Sequence, residues 1–225
     1  MRAADPNSPF QQDPSSPGYY GPTNTALLLL DFHSLFVEKA GGVNAPQALA
    51  VASELRNWAK AQGMFVIHAL IDLHGTSPQT CKGADRLKTT LTGMLESGGE
   101  ESAELTKGMA KDERVFLRAP GLVSALSSPG LLDYLRVVGI KSLILTGLST
   151  SGCVLRTAIP ATEAGFVTTV ITDAVADRKA EVHDMLISDV LPTRAHVMTA
   201  AEFQEGYTKA MASKYEALWK TPVFA

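Results

Sequence analysis

The sequence predicts a three-layer αβα fold around a mostly parallel, six-stranded sheet. Two observations carry that expectation. Six short apolar runs recur along the chain, and segments with apolar residues at helical spacing separate them. A strand buried on both faces reads as an unbroken apolar run, and strands alternating with helices imply right-handed βαβ units. A third observation concerns function: several runs end on a reactive side chain, where open α/β sheets collect their chemistry.

The runs follow in order. "TALLLLDF" at 25–32 is the first strand. Asn44 and Pro46 start a helix, with Ala48, Leu49, Ala52, Leu55, Trp58 and Ala59 on one face, and Gly63 ends it. "MFVIHALI" at 64–71 is the second strand. Residues 75–110 form a long excursion rich in Gly, Thr and Ser, with a short helix near 84–96. "RVFLR" at 114–118, "SLILTG" at 142–147, "FVTTVITDA" at 166–174 and "AHVMT" at 195–199 complete the strands. Helices are expected over 131–138, 153–164, 178–189 and about 200–219. The whole is a Rossmann-like arrangement in one domain over 23–225. Residues 1–22, rich in Pro, Ser, Asn, Gln and Gly, read as a flexible or surface-hugging arm. Phe10, Tyr19 and Tyr20 are its candidate anchors to the body or to a partner subunit.

The bulk properties narrow the function. The 225 residues are 45% hydrophobic and 19% charged, as in a soluble domain with a sizeable core. A net charge of -3 gives no basic field for nucleic acid, and no apolar run is long enough to span a bilayer. No secretory signal is visible at the N-terminus. Two cysteines, Cys81 and Cys153, make no disulfide framework and fit a cytoplasmic protein.

Three strand ends matter most. Asp31 follows four leucines, where a carboxylate must be solvated, paired or used. Arg118 ends the third strand, as a surface cation or as a partner for a carboxylate. Cys153 sits six residues after Gly147 in "TGLSTSGCVLRTA". With a helix starting near Ser151 or Gly152, its thiol falls in the first turn, where N–H groups and the helix dipole favour a thiolate. The alternative is a small buried apolar residue. A carboxylate, a cation and a thiol at three strand ends can converge in one crevice. There a thiolate attacks a carbonyl, N–H groups hold the oxyanion, and the carboxylate relays a proton to the leaving nitrogen.

"LLLLDFHSLF" and "LLDYLRVVGIKSLILTGLSTSGCVLRTAIPATEAGFVTTVITDAVADR" also carry a resemblance. In order and spacing the chain resembles the isochorismatase-like cysteine hydrolases over most of residues 25–200. "TSGCV" looks most like the carbamoylsarcosine amidase branch. The resemblance implies hydrolysis of a small amide, ureide or carbamoyl C–N bond through a thioester, without a cofactor. It implies Asp31 as general acid and base and Cys153 as nucleophile. It also implies a cis peptide at Leu148–Ser149, with the N–H groups of Ser149 and Cys153 facing the oxyanion. Where the family has lysine, this chain has Arg118 in "VFLRAPG". Arginine is a poor proton donor, because its pKa is above 12. Lys107 and Lys111, upstream of the strand, are weaker candidates for the lysine's role. Two other functions stay open: vinyl-ether hydrolysis of the isochorismatase type, needing Asp31 but no cysteine, and a non-catalytic member that binds a ligand. A homo-oligomer, dimer or tetramer, is implied too.

Around the crevice, His33, Phe36, Ser149 and Thr150 are candidates for contact with a small-molecule substrate. Residues 33–43, 72–95 and 119–130 would shape specificity. Asp72 and His74 form a D-x-H pair at the place where some family members bind a metal. The segment that follows holds no second histidine, and two ligands do not make a stable zinc site. No GxGxxG or GxxxxGK[ST] phosphate cradle is present. His68 reads as a packed core or interface residue, and His183 and His196 as structural. Asp173, Asp177 and Arg178 read as ties between a strand end and the next helix.

Overall fold

The computed structural model describes residues 8–82, 84–96 and 99–220. Six strands form one sheet: β1 (Thr25–Leu30), β2 (Phe65–Ile71), β3 (Arg114–Arg118), β4 (Ser142–Leu148), β5 (Val167–Ala176) and β6 (His196–Met198). Their order is β3-β2-β1-β4-β5-β6, and every pairing is parallel. The expected mostly parallel sheet is thus parallel throughout.

Alternation along β1 explains its four leucines. Leu27 and Leu29 enter one core, and Ala26, Leu28 and Leu30 enter the other. The first core lies under α1 (Ala45–Gln62) and, from the far end of the chain, Phe203 and Tyr207. Between β2 and β3 run α2 (Ala84–Glu96) and the short α3 (Ala103–Thr106). The second core lies under α4 (Leu131–Val137) and α5 (Leu155–Glu163). The chain then makes α6 (Ala180–Met185) and α7 (Ala200–Lys220), the helix that carries Phe203 and Tyr207.

This order creates a switch point. The chain leaves β1 toward α1 on one face, and leaves β4 toward α5 on the other. The switch point lies at the exits of β1 and β4, the two strands that carry Asp31 and the cysteine turn, where sheets of this kind place their sites.

Three local details differ from the sequence expectation. The helix expected over 153–164 begins as α-helix only at Leu155. A turn, Thr150–Val154, precedes it and is itself kinked at Gly152, φ -91°, ψ -113°, while Val154 is already helical and runs on into α5. Cys153 therefore sits at the helix entry, between the Gly152 kink and the first assigned α-helical residue, Leu155. The helix expected over 178–189 is likewise α6 followed by a wider turn, Leu186–Val190. The strand expected to end at 174 runs on to Ala176.

Residues 8–21 lie against the body. Phe10 packs on Phe203 with ring centroids 5.9 Å apart, and the Ser15 carbonyl accepts a 2.8 Å hydrogen bond from His196 Nε2. Lys214 donates to the Tyr19 carbonyl at 2.7 Å. Among the described residues, no helix is long and apolar enough to cross a membrane.

Candidate active site

Asp31, Arg118 and Cys153 meet at this switch point. Asp31 follows β1 directly, with φ 53°, a conformation that Asp tolerates better than most residues. Its N–H is held by the Ala69 carbonyl at 3.2 Å. Arg118 ends the edge strand β3 and must reach across β2 to arrive, which suits a long side chain. It donates through Nη1 to Asp31 Oδ1 at 3.0 Å and through Nη2 to Asp31 Oδ2. Its Nε–H is fixed by the Leu122 carbonyl at 2.8 Å. Arg118 is 1% exposed, Asp31 3% and Cys153 2%, so the three sit out of water.

Gly147 brings the two strand ends together. A Cβ there would lie 2.5 Å from Leu30 Cβ and 2.5 Å from the Leu30 carbonyl oxygen. With φ at 148°, this position takes only glycine without strain. The Leu148–Ser149 peptide that follows is cis. Within the turn, the N–H of Ser151 donates to Asp177 Oδ2 at 2.7 Å. The N–H groups of Gly152 and Val154 donate to the Ser149 carbonyl at 3.0 and 3.3 Å.

The electrostatics set a resting state. Burial pushes the Cys153 thiol well up, and the Asp31 charge pushes it further, against a smaller downward pull from Arg118. The thiol sulfur lies 3.8 Å from the Ser149 carbonyl oxygen and 4.0 Å from that of Leu30, the residue before Asp31. The cysteine at rest is a buried neutral thiol near a carboxylate, where the sequence left open a helix-stabilised thiolate or a small buried residue. Burial pulls Arg118 down, but the adjacent Asp31 outweighs it and holds the guanidinium charged.

His33 forms a wall of the site. Its Nδ1 lies 2.8 Å from the Gly99 carbonyl, and its Nε2 accepts from the Ile71 N–H at 3.3 Å. A carbonyl only accepts, so Nδ1 carries the proton and the ring is neutral. Burial lowers its pKa, consistent with that state, and outweighs Asp31, whose Oδ1 is 3.9 Å from Nε2. Both ring nitrogens are thus taken by the backbone. Phe36 stands edge-on to His33, with centroids 5.6 Å apart.

These features accompany a clear likeness to known proteins. The isochorismatase domain model matches residues 25–202. The chain belongs to the isochorismatase family. Maleamate amidohydrolase of Pseudomonas putida is 26% identical over 179 residues, covering 77% of this chain and 82% of that one. An Arabidopsis thaliana protein named "probable inactive nicotinamidase" is 28% identical over 193 residues, covering 81% and 95%. Among solved structures, N-carbamoylsarcosine amidase of Thermoplasma acidophilum superposes with a TM-score of 0.60 at 19% identity, covering 79% and 96%. The last likeness is one of fold: the three-layer α/β architecture is shared.

Other candidates lie apart from this centre. Lys107 and Lys111 are exposed, before β3. Asp72 accepts the His74 N–H at 3.0 Å, and among the described residues no three His, Cys, Asp or Glu side chains gather as a metal site requires. His68 is fully buried, between Glu101 at 2.8 Å and Glu113 at 3.3 Å. Asp173 accepts the Ala200 N–H at 2.8 Å, at the start of α7.

Two residues near the cysteine turn exceed the sequence reading. Asp177 holds the Ser151 N–H, and His183 Nδ1 lies 2.8 Å from Thr150 Oγ1. Sequence spacing gives no hint of either contact. Both follow from β5 lying beside β4, which brings the exits of the two strands together.

Proposed function

We propose that this isochorismatase-family chain is a cysteine hydrolase that cleaves a small, linear, non-peptide amide. The observation that carries the reading is the buried meeting of Cys153, Asp31 and Arg118 at the switch point. Amidohydrolase relatives support it.

The chemistry follows from the protonation states. Asp31 takes the proton of the neutral Cys153 thiol as sulfur attacks the substrate carbonyl. Negative charge moves to the carbonyl oxygen, which the N–H groups of Ser149 and Cys153 receive. Asp31 returns the proton to the nitrogen as the C–N bond breaks, releasing the amine and leaving an acyl thioester. A water, deprotonated by Asp31, then attacks the thioester to give the acid and restore the thiol. Arg118 donates no proton. It orients both oxygens of Asp31, and its charge offsets the growing negative charge on sulfur.

One specific feature favours a second reading. Arg118 occupies both oxygens of the general base, where the family has lysine. A ligand-binding member without turnover accommodates that arrangement, and one relative bears the name of an inactive enzyme. Steady-state kinetics on maleamate and a panel of small amides separate the two. Hydrolysis that Cys153→Ala and Asp31→Asn each abolish, with folding intact, supports the first reading. Binding without turnover in the wild type supports the second. Turnover lost in Asp31→Asn but spared in Cys153→Ala marks acid-catalysed chemistry instead.

A further inference from the structure

Thr150 follows the cis peptide directly and lies three residues before Cys153. It is fully buried, so its hydroxyl proton needs an acceptor. Its hydrogen-bond partner is His183 Nδ1, at 2.8 Å. Were Nδ1 protonated, it would donate to Thr150 and leave the threonine O–H buried without an acceptor. His183 is only half-buried, so the reverse arrangement costs the ring less than it would cost the fully buried threonine. Energetics therefore choose one tautomer: proton on Nε2, lone pair on Nδ1, O–H of Thr150 donating.

His183 belongs to α6, a short helix anchored near the site through the preceding turn. Asp177 of that turn holds the Ser151 N–H. The segment after β5 thus clamps the cysteine turn at two consecutive residues, by a carboxylate on Ser151 and an imidazole on Thr150. Without the imidazole, the Thr150 side chain loses its anchor, and the Leu155 N–H on the Thr150 carbonyl is left to hold that residue.

We propose that His183 is a positioning residue for Cys153: a neutral Nε2–H imidazole that accepts the Thr150 hydroxyl and fixes the turn presenting the thiol. The positional effect on catalysis rests on the cysteine-hydrolase reading, while the tautomer and the clamp do not. Thr150 accordingly serves the turn, where the sequence reading places it at the substrate.

The test uses the full chain. Nitrogen-15 NMR of the imidazoles should show His183 with an unprotonated, hydrogen-bonded Nδ1 and a protonated Nε2. Thr150→Val should shift the Nδ1 signal. A protonated Nδ1 at neutral pH, or no response to Thr150→Val, overturns the proposal. Hydrogen exchange of the 149–154 amides should quicken about tenfold in His183→Leu and stay near wild type in His183→Asn, whose amide can reproduce Nδ1. Equal protection in all three overturns it. With maleamate or another hydrolysed amide, His183→Leu should lower kcat about tenfold with little change in KM, and His183→Asn should restore most of it. A change in KM alone contradicts positioning. If the wild type turns over no amide, the hydrolase reading fails by itself, and the NMR and exchange results still decide the clamp.

Discussion

Arg118 holds both carboxylate oxygens of Asp31 in a bidentate pair, within a site where neither residue is more than 3% exposed. That relationship governs the site. A paired, buried carboxylate is oriented rather than free, and burial together with the Asp31 charge raises the pKa of the nearby Cys153 thiol. Where the sequence resemblance leads one to expect a lysine, Arg118 binds Asp31 at two points, and a guanidinium does not give up a proton.

Breaking this pair should be costly. Arg118→Leu leaves Asp31 buried and uncompensated, and should destabilise the fold by about 3–5 kcal/mol in denaturant titration. Arg118→Lys keeps the charge but loses the bidentate grip and the Leu122 carbonyl contact. It should lower kcat/KM at least about tenfold. Unchanged or raised kcat/KM would show that the guanidinium merely fills the lysine's place.

The two cysteines should differ in reactivity. Burial and Asp31 hold the Cys153 thiol high, so its alkylation by iodoacetamide should trail that of the more accessible Cys81. Its rate should still be rising above about pH 8.5, the ordinary thiol value. Peptide mass spectrometry across pH reads both sites in one sample. A Cys153 that reacts faster than Cys81 at pH 7 would mean a standing thiolate and would refute the neutral resting state.

Acid stability should depend on Glu113. Burial raises its pKa, but Arg56, the Ala110 N–H, Lys60 and His68 together hold it at about 2. The folded value lies below the unfolded one, so this group stabilises the fold above about pH 4.5 and the contribution fades as pH falls toward 2. The full effect is about 3 kcal/mol. Glu113→Gln should lower stability at pH 7 and flatten its decline between pH 5 and 2. An unchanged acid limb in urea titrations would contradict this.

Gly147 should tolerate no side chain. Gly147→Ala puts a methyl group 2.5 Å from the Leu30 carbonyl oxygen, just before Asp31, at a positive φ. A loss of about 2–4 kcal/mol in stability is expected, with activity falling too. A variant with wild-type stability would mean that the strand ends can separate freely.

The central strands were legible because they bury both faces, which forces unbroken apolar runs such as "LLLL" at 27–30. Asp31, Arg118 and Cys153 stood out as reactive groups at strand ends, but their pairing depends on strand order, which no local pattern displays. Arg118 reaches Asp31 only because β2 alone lies between β3 and β1. The kink at Gly152 inside the cysteine turn was hidden, since glycine near a helix start does not announce a non-helical ψ. Asp177 and His183 were illegible for the same reason as the pairing: they approach the cysteine turn through β4–β5 adjacency, 26 and 33 residues away in sequence. The burial of Cys153, and with it the protonated thiol, is a property of packing.

The central claim is that Cys153 carries the acyl group of a cleaved amide. The most direct measurement is rapid-quench mass spectrometry of the wild-type protein during turnover of maleamate or another hydrolysed amide, with peptide mapping of any adduct. The account predicts an acyl thioester on Cys153 that forms as the amine is released, decays with turnover, and is missing from Cys153→Ala, which is inactive. Turnover without an adduct, undiminished in Cys153→Ala, would contradict it.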